Sequence, residues 1–375
     1  MKKILYLMHI PWGWIKQRPH FFAEMLATDF SVDLRYKRAF HAKKEHYCNN
    51  KSDKNFNLSS FFILPFEKIP IVGRWKFFDY VNFFLFLLQI RKIKKYDIIW
   101  VTSILMYHYI SPFIHHKQKL IYDCMDDEME FPSVKSHSSL KNKLTHIERA
   151  LLKRADLVFC SAFYLKQKVI KRTGVDGSKI TILNNAIQLP QTGEMHLPNH
   201  LQTKLDMVKK MPYSFMYVGT IAAWFDFELI KIMLDHFPKA HVVLIGPNEV
   251  EIPDHEQIHY LGTIERQYIF NFMKIANCLF MPFQVNELIR SVNPVKLYEY
   301  IFANKPVIAP LYEETIQFDP YIYLYHTPEN FIRLCSDLQD GKIDRKSNEQ
   351  MNMDFVKNNV WEKRYCIINE KLNEL

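Results

Sequence analysis

Short apolar runs alternate with amphipathic segments of helical length along the whole chain. This alternation is typical of parallel sheets whose strands are joined by crossover helices. Two such series occur. The stretch between them, from Ile187 to Pro212, is polar, holds three prolines and has no clear period, which favours a linker. We therefore predict two α/β domains, residues 1–186 and 187–353, and a helical tail over residues 354–375 that caps the second domain or returns to the first.

The same pattern predicts individual elements. In the first domain it predicts strands from Lys3 to Met8, Ser31 to Tyr36, Asp97 to Thr102, Leu120 to Tyr122, Leu157 to Cys160 and Ile180 to Leu183, and helices from Arg18 to Ala27, Phe77 to Ile93 and Leu140 to Lys153. In the second it predicts strands from Ser214 to Val218, His241 to Ile245, Ile258 to Leu261, Leu279 to Met281 and Val307 to Ala309, and helices from Phe227 to His236, Arg266 to Ile275 and Val295 to Phe302.

Composition narrows the class of protein. Of 375 residues, 48% are hydrophobic and 24% are charged, which indicates a packed globular chain. The net charge of +9 favours an anionic partner, such as a nucleotide, a phospholipid surface or a nucleic acid. Because lysines and arginines are dispersed and no known nucleic-acid-binding motif occurs, we expect no nucleic-acid partner.

Cysteine spacing and hydropathy indicate a cytoplasmic protein. The six cysteines show no CxxC pair and no metal-type spacing, so we predict reduced thiols. The apolar stretch at the start is very short and lacks a cleavage site, which favours a first strand over a signal peptide. The segment from Phe77 to Ile90 contains Asp79, Asn82 and Gln89 and falls short of the roughly 20 apolar residues that a membrane span requires. No transmembrane helix is expected.

The run from Ser291 to Ala309 has the pattern of a helix that opens onto a ligand and leads into a buried strand. Pro294 suits the first helical position, and Lys296 and Glu299 stand three residues apart on one helix face. A helix N-terminus and a lysine attract a diphosphate, while a carboxylate one turn later can accept ribose hydroxyls. The alternative is an ordinary surface Lys–Glu pair.

Other phosphate-binding signals are few. The chain has only nine glycines and neither GxGxxG nor a Walker-type motif, so helix ends and single basic side chains would have to hold phosphate. Gly219 follows an apolar run directly, which lets backbone approach a ligand. Arg290 lies just upstream of the Pro294 helix and could clamp a phosphate; the alternative is a solvated arginine.

Several motifs together resemble a known family. They are the runs Asn293 to Tyr300, Lys305 to Val307, Tyr217 to Thr220, Trp224 to Asp226 and Leu244 to Pro247 in the second domain, and Arg18 to His20 and Ile121 to Asp127 in the first. In these runs the chain resembles glycosyltransferase family 4, and its first domain resembles a bacterial branch that builds surface polysaccharides such as capsule and lipopolysaccharide. The resemblance implies the GT-B fold, two Rossmann-like doubly wound domains facing across a cleft.

The resemblance also implies a donor site in the second domain. Glu299 would bind the donor ribose, Gly219 would place a backbone N–H near the diphosphate, and Lys296 would support the site. The implied donor-binding residues are Gly219, Thr220, Arg290, Asn293, Pro294, Lys296, Leu297 and Glu299. Many members carry Arg and Lys where this chain has Ala222 and Ala223, so the grip on phosphate would fall to Arg290, Lys296 and backbone donors.

Acidic residues after the Leu120 strand are candidates for chemistry. Asp123, Asp126 and Asp127 should face the cleft from the acceptor side, where a carboxylate could orient or deprotonate an acceptor hydroxyl. The alternative is a structural role such as capping the next helix. His108, after the Asp97 strand, is a further catalytic candidate. No metal ion is expected, because GT-B enzymes usually need none.

Aromatic residues after the first strand predict an acceptor platform, since aromatic faces stack on sugars and lipids alike. The predicted acceptor-binding residues are His9, Trp12, Gly13, Trp14 and Arg18. Between Phe61 and Lys95, aromatic and basic residues interleave, and such a surface could sit on an anionic membrane leaflet. The alternative there is a core helix with a solvated basic end.

The sequence thus predicts a retaining transferase that moves a sugar from a nucleotide donor, with UDP-sugars favoured, to a glycan or lipid-linked glycan. It would need no cofactor and would act in the cytoplasm, with peripheral contact to the inner face of the plasma membrane. One alternative is a sugar-nucleotide epimerase of the same architecture. Another is a basic membrane- or nucleic-acid-binding protein without activity.

Overall fold

Each half of the chain forms one parallel β-sheet in the computed structural model, which describes residues 1–13, 15–38, 55–64, 76–90, 92–190 and 196–375. The predicted platform residue Trp14 lies outside the described residues. The strands are β1 Lys3–Met8, β2 Ser31–Lys37, β3 Phe56–Phe61, β4 Ile98–Val101, β5 Lys119–Cys124, β6 Leu157–Cys160, β7 Ile180–Ile182, β8 Tyr213–Val218, β9 Ala240–Ile245, β10 Ile258–Tyr260, β11 Cys278–Phe280, β12 Val307–Pro310 and β13 Tyr323–Tyr325.

Helices connect these strands. The α-helices are α1 Arg18–Asp29, α2 Lys76–Gln89, α3 Ile104–Ile110, α4 Pro132–Lys135, α5 Ser138–Arg154, α6 Phe163–Thr173, α7 Asn199–Lys209, α8 Phe227–His236, α9 Arg266–Ile275, α10 Glu287–Arg290, α11 Val295–Phe302, α12 Pro328–Gln339, α13 Glu349–Asn358 and α14 Trp361–Asn373. Short 3₁₀ turns occupy Ile93–Lys95, Ser111–Phe113, Glu128–Glu130, Gly177–Lys179 and Ile316–Phe318.

The two sheets follow the same strand order, and the first has one additional strand at its end. In the described residues, the first sheet has the strand order β3-β2-β1-β4-β5-β6-β7 and the second has β10-β9-β8-β11-β12-β13. Every strand pair is parallel. The strand order reverses between β1 and β4 and between β8 and β11. Doubly wound sheets bind ligands beyond the carboxyl ends of the strands at such switch points, so the loops after these strands are the places to examine.

The chain divides into two compact units. The first unit comprises Met1–Asn184 and Trp361–Leu375, and the second comprises Asn185–Val360. In the first, the rings of Tyr6, Trp100 and Phe159 stack at centroid distances of 5.5 and 5.6 Å. Such buried aromatic contacts add to the apolar burial that stabilises a sheet.

The C-terminal residues form two helices, and the chain leaves the second unit between them. Trp361, the first residue of α14, stacks on Phe21 of α1 with ring centroids 4.7 Å apart. Its ring also meets the edge of Phe22 at 5.5 Å. The last helix therefore packs within the first unit, although α13 belongs to the second.

The apolar pattern located most elements. The helices predicted from Phe227, Arg266 and Val295 have the predicted bounds. The predicted linker was partly wrong, because α7 lies inside it and buries Leu201, Leu205 and Val208. The pattern also missed β3, whose FNLSSF sequence is half polar and lacks a continuous apolar run, and the three-residue strand β13.

Two local placements were wrong. Asp123 lies inside β5 and is fully buried, so it does not follow the strand into a loop. Pro294 occupies the N-cap of α11, and Val295 is the first helical residue. Proline is compatible with the N-cap because that residue needs no helical φ and its missing N–H has no partner in the helix.

A buried ion pair joins α1 to the middle of the first sheet. Arg18 donates from Nε and Nη2 to Asp123 Oδ1 at 2.9 and 2.8 Å, and its Nη1 donates to the carbonyl of Leu183 after β7. Both charged side chains are almost completely buried. Burial raises the pKa of Asp123, and Arg18 opposes that rise. Each charge therefore depends on the other to remain inside the protein.

We expect Asp123→Asn to reduce the free energy of unfolding by about 3–5 kcal/mol, because it leaves the Arg18 guanidinium buried without its counter-ion. The double variant Arg18→Met/Asp123→Leu should lose less, since it removes both charges. Chemical denaturation followed by circular dichroism measures both effects. A single variant as stable as the wild type would contradict this account.

Candidate functional site

Gly219 begins the loop after β8, at the switch point of the second sheet. Its φ is 150°, and a Cβ at this position would lie 2.0 Å from Lys296 Cε and 3.0 Å from the Tyr217 hydroxyl. A Cβ at Gly246, after the neighbouring strand β9, would lie 2.2 Å from the Gly219 carbonyl oxygen. The two glycines therefore allow a close approach of backbone and lysine that a side chain would prevent.

The N–H groups near this point differ in availability. The N–H of Gly219 donates to the Ile245 carbonyl at 2.8 Å, so it is not available for the diphosphate contact expected of it. In the described part of the chain, the N–H of Thr220 has no acceptor, while its carbonyl accepts from the Tyr217 hydroxyl at 2.7 Å. The first N–H groups of α11 also lack partners within the helix. Backbone donors for an anion are thus Thr220 and the start of α11.

Lys296 carries its charge between two aromatic rings. Its Nζ lies 5.5 Å from the ring centroid of Tyr217 and 5.6 Å from that of Phe283. Within the described residues, Lys296 takes part in no ion pair. Desolvation lowers the pKa of Lys296 to about 8, and the nearby Glu299 opposes the shift. Ring faces attract the ammonium group but cannot neutralise it, so an anion that binds here could form an ion pair with Lys296.

Glu299 is held by a residue that the sequence analysis missed. Arg266, at the start of α9, places Nη2 2.9 Å from Glu299 Oε1, and the carboxylate is mostly buried while the arginine is exposed. The only sequence signal was an arginine at the first position of a predicted helix. Since Arg266 fixes one carboxylate oxygen, the other can accept hydrogen bonds from a ligand.

Arg290 differs from the phosphate clamp expected of it. It pairs with Glu287 at 2.9 Å, and its Nε contacts both carboxylate oxygens of Glu313 at 3.1 Å. Two carboxylates on one guanidinium compensate its charge, so an incoming phosphate would have to displace them. This geometry disfavours Arg290 as a diphosphate ligand.

Two other predicted donor residues support the helix from inside. Asn293 is buried, and its Oδ1 accepts from the N–H of Asn185 at 3.0 Å and from the Tyr298 hydroxyl at 3.2 Å. Its carbonyl accepts from the Asn185 side chain at 2.8 Å. Leu297 is completely buried in the core of the second unit. Together these contacts fix the start of α11, on which Lys296 and Glu299 stand.

At the switch point of the first sheet, His9 follows β1 and Thr102 follows β4. His9 Nδ1 lies 2.7 Å from Thr102 Oγ1, whose hydroxyl donates to the Leu7 carbonyl at 3.3 Å. Burial lowers the pKa of His9 to about 4. The ring is therefore neutral at neutral pH.

The three aspartates after or within β5 have separate environments. Asp123 is engaged by Arg18. Asp127 is buried between Lys168 at 2.9 Å and Arg172 at 2.7 Å. Asp126 is partly exposed, and no hydrogen bond or ion pair in the described chain engages its carboxylate. Burial, together with Asp123 and Asp127, raises the pKa of Asp126 to about 6, so this carboxyl group can exchange a proton near neutral pH.

His108 lies one turn into α3 and contacts α2. Its Nε2 is 3.6 Å from Asp79, and its ring is 5.0 Å from that of Phe83. The carboxylate at the start of α3 is that of Glu128, which accepts a hydrogen bond from the N–H of Ile104 at 2.8 Å. His108 thus faces a neighbouring helix, which disfavours a catalytic role.

The predicted acceptor platform is split by the structure. Trp12 packs on His20 and Phe56 with ring centroids 5.1 and 5.5 Å away, so its ring is partly buried. Gly13 is exposed with a φ of 91°. Arg18 is buried in its ion pair with Asp123. Among the described members of this group, Gly13 is exposed and His9 and Trp12 are partly exposed.

Two further observations concern the described residues. They contain no group of three or more histidine, cysteine, aspartate or glutamate side chains arranged to hold a metal ion. None of their helices has the length and apolar content needed to cross a bilayer.

Comparison with known proteins gives one curated relative and many similar structures. No protein-family model matches the chain. The relative is "Putative teichuronic acid biosynthesis glycosyltransferase TuaH" of Bacillus subtilis (strain 168), 22% identical over 258 residues. The match covers 65% of this chain and 64% of the length of TuaH.

Two solved structures show the fold. Anabaena Alr3699/HepE, in complex with UDP and glucose, has a TM-score of 0.69 and 13% identity and matches over 100% of both chains. WaaG, a glycosyltransferase involved in lipopolysaccharide biosynthesis, has a TM-score of 0.61 and 13% identity over 96% of this chain and 94% of its own. The chain has the GT-B fold. The resemblance to GT-B glycosyltransferases is confirmed, since the curated relative and the similar structures include such enzymes.

We expect Gly219→Ala to weaken UDP binding roughly tenfold or more, because the added methyl group would displace Lys296 from the anion site. Gly262→Ala is the matched control: its φ is also positive, at 75°, but a Cβ there meets nothing within 4 Å. Calorimetric titration with UDP compares the two. Equal UDP affinity in both variants would refute the packing argument.

Proposed function

We propose that this protein is a glycosyltransferase that moves a sugar from a nucleoside-diphosphate donor to a glycan or lipid-linked glycan. The observation that carries the proposal is the arrangement at the carboxyl end of the second sheet. There the ammonium group of Lys296, which forms no ion pair within the described part of the chain, lies within one helical turn of the N-terminus of α11 and of the mostly buried carboxylate of Glu299. HepE, which has the same fold, was crystallised with UDP and with UDP-glucose, and this supports a UDP-sugar as donor.

The donor would be bound by complementary charges. Lys296, the N–H of Thr220 and the start of α11 would contact the diphosphate, because ammonium and backbone N–H groups stabilise phosphate oxygens. Glu299 would accept hydrogen bonds from ribose hydroxyls, with Arg266 holding the carboxylate in place. During transfer, the bond from the anomeric carbon to the diphosphate breaks and its electron pair stays on the phosphate. Preorganised donors at that position would lower the barrier.

The acceptor would be activated in the first unit. As the acceptor oxygen bonds to the anomeric carbon, its proton must leave, and the raised pKa of Asp126 suits that task. Retention of configuration is what the family resemblance implies. The name of TuaH and the description of WaaG support a role in bacterial surface polysaccharide synthesis. The proposed location is the cytoplasm, at the inner face of the plasma membrane, where a lipid-linked acceptor would be met.

We expect Glu299→Ala to abolish measurable binding of the matching nucleotide while the fold is retained. The measurement is calorimetric titration with UDP, GDP and their sugar conjugates. Glu313→Ala is the matched control, since Glu313 is also a carboxylate paired with an arginine but does not stand on α11. Failure of the wild type to bind any nucleotide would remove the basis of the proposal.

We expect Asp126→Asn to lower kcat by roughly 10²–10⁴-fold, the usual range for loss of a general base. In the wild type, kcat should rise as pH increases through about 6, because the carboxylate is the active form. The asparagine variant should lack this limb. Asp176→Asn, in an exposed turn of the same unit, should leave the profile unchanged. A wild-type profile that is flat near pH 6 would exclude Asp126 as the base.

A further inference from the structure

Two amide side chains of α2, those of Asn82 and Gln89, point inward. Asn82 accepts from the N–H of Leu64 at 2.9 Å and donates to its carbonyl at 3.0 Å. Gln89 makes the same pair of bonds with Phe62, at 3.1 and 2.9 Å. Phe86 is fully buried on the same side of α2. The side-chain amides of Asn82 and Gln89 thus bind backbone groups of the segment that follows β3.

The outward side of α2 is apolar. Phe77, Tyr80, Phe84, Leu87 and Leu88 expose 64, 67, 61, 38 and 47% of their surface. Their spacing places them along one face of a helix. We call these five residues the α2 stripe. A helix on the surface of a globular protein normally has the opposite arrangement, and an exposed apolar face of this kind marks an interaction surface.

The charges around the α2 stripe are mainly positive. Asp79 is the one acidic residue in the sequence of α2, and it pairs with Lys143 at 2.8 Å and with His108 at 3.6 Å. Beyond the end of the helix, Lys92 and Lys94 are exposed. The stripe therefore combines an apolar face with exposed cations at one end. This combination is complementary to an anionic lipid surface.

The size of the α2 stripe also favours a bilayer over a second protein. From the usual 150–250 Å² of an aromatic side chain, its exposed apolar area is roughly 500 Å². A standard protein interface needs about 800 Å² from each partner. A helix that lies in the plane of a membrane, by contrast, buries a single apolar face among the headgroups and acyl chains.

We propose that the α2 stripe is a docking surface for an anionic bilayer, with its aromatic residues and leucines among the headgroups and with Lys92 and Lys94 facing lipid phosphates. The inference deepens the proposed location at a membrane. It requires neither the donor site nor sugar transfer.

The test is co-sedimentation of the whole protein with vesicles of phosphatidylcholine, with and without phosphatidylglycerol, in the absence of nucleotide. The wild type should bind the anionic vesicles, and Phe84→Glu/Leu88→Glu should bind them roughly a hundredfold more weakly. Met207→Glu/Ile232→Glu is the matched control. Met207 and Ile232 are exposed to a similar degree, at 39 and 40%, on α7 and α8 of the second unit, so vesicle binding should be unchanged.

A second variant guards against misfolding. Lys92→Glu/Lys94→Glu changes only exposed side chains and should weaken binding to anionic vesicles roughly tenfold. Circular dichroism and UDP titration should be unchanged in all variants. A wild type that fails to bind anionic vesicles at low salt would overturn the inference. So would equal vesicle binding by the wild type and the lysine variant, or a dimer in sedimentation velocity that the stripe variant abolishes without any vesicle binding.

If the wild type binds vesicles but no nucleotide, the proposed sugar transfer fails and the docking surface stands. If it binds UDP but no vesicle, the docking surface alone fails.

Discussion

The parallel direction of the strands is the constraint on which both candidate sites depend. Because all strands of a sheet end at one edge, residues far apart in sequence, such as His9 and Thr102, are brought together after β1 and β4. The same constraint places Gly219 after β8 beside Gly246 after β9 and under Lys296 of α11. At this position two glycines remove the Cβ atoms that would hold the lysine away. The fold thus brings these loops together at the carboxyl edge of each sheet, and local steric contacts determine which side chains fit there.

Burial then decides which charged residues can do chemistry. A charge inside the protein must be compensated, and Asp123 and Asp127 meet this requirement through Arg18, Lys168 and Arg172. Asp126 has no such partner in the described chain and is left with a raised pKa. Lys296 is the cationic counterpart: aromatic rings hold it, desolvation lowers its pKa, and among the described residues no carboxylate forms an ion pair with it. The candidate sites are therefore marked by charged groups that are not held in an ion pair within the described residues, rather than by charged groups in general.

The α2 stripe shows the same principle for apolar surface. In most of the described chain, amphipathic helices turn their apolar face to a sheet, and hydrophobic burial stabilises that arrangement. In α2 the inward amides are satisfied by backbone groups after β3, so the helix can face outward with its aromatic residues without leaving buried polar groups unpaired. Whether an apolar residue is core or surface is therefore settled by the neighbours of the helix.

The sequence by itself determined the fold class, because the alternation of apolar runs and amphipathic segments specifies parallel sheets. It also located α11, since Lys296 and Glu299 lie one helical turn apart and need no distant contact to share a face. It could not distinguish the environment of Asp126 from those of Asp123 and Asp127. Nor could it show that Arg290 pairs with Glu313 and that Glu299 pairs with Arg266. Those outcomes depend on pairing between residues far apart in the chain. Only tertiary structure decided them, because burial and ion pairing depend on three-dimensional proximity, which local sequence does not encode.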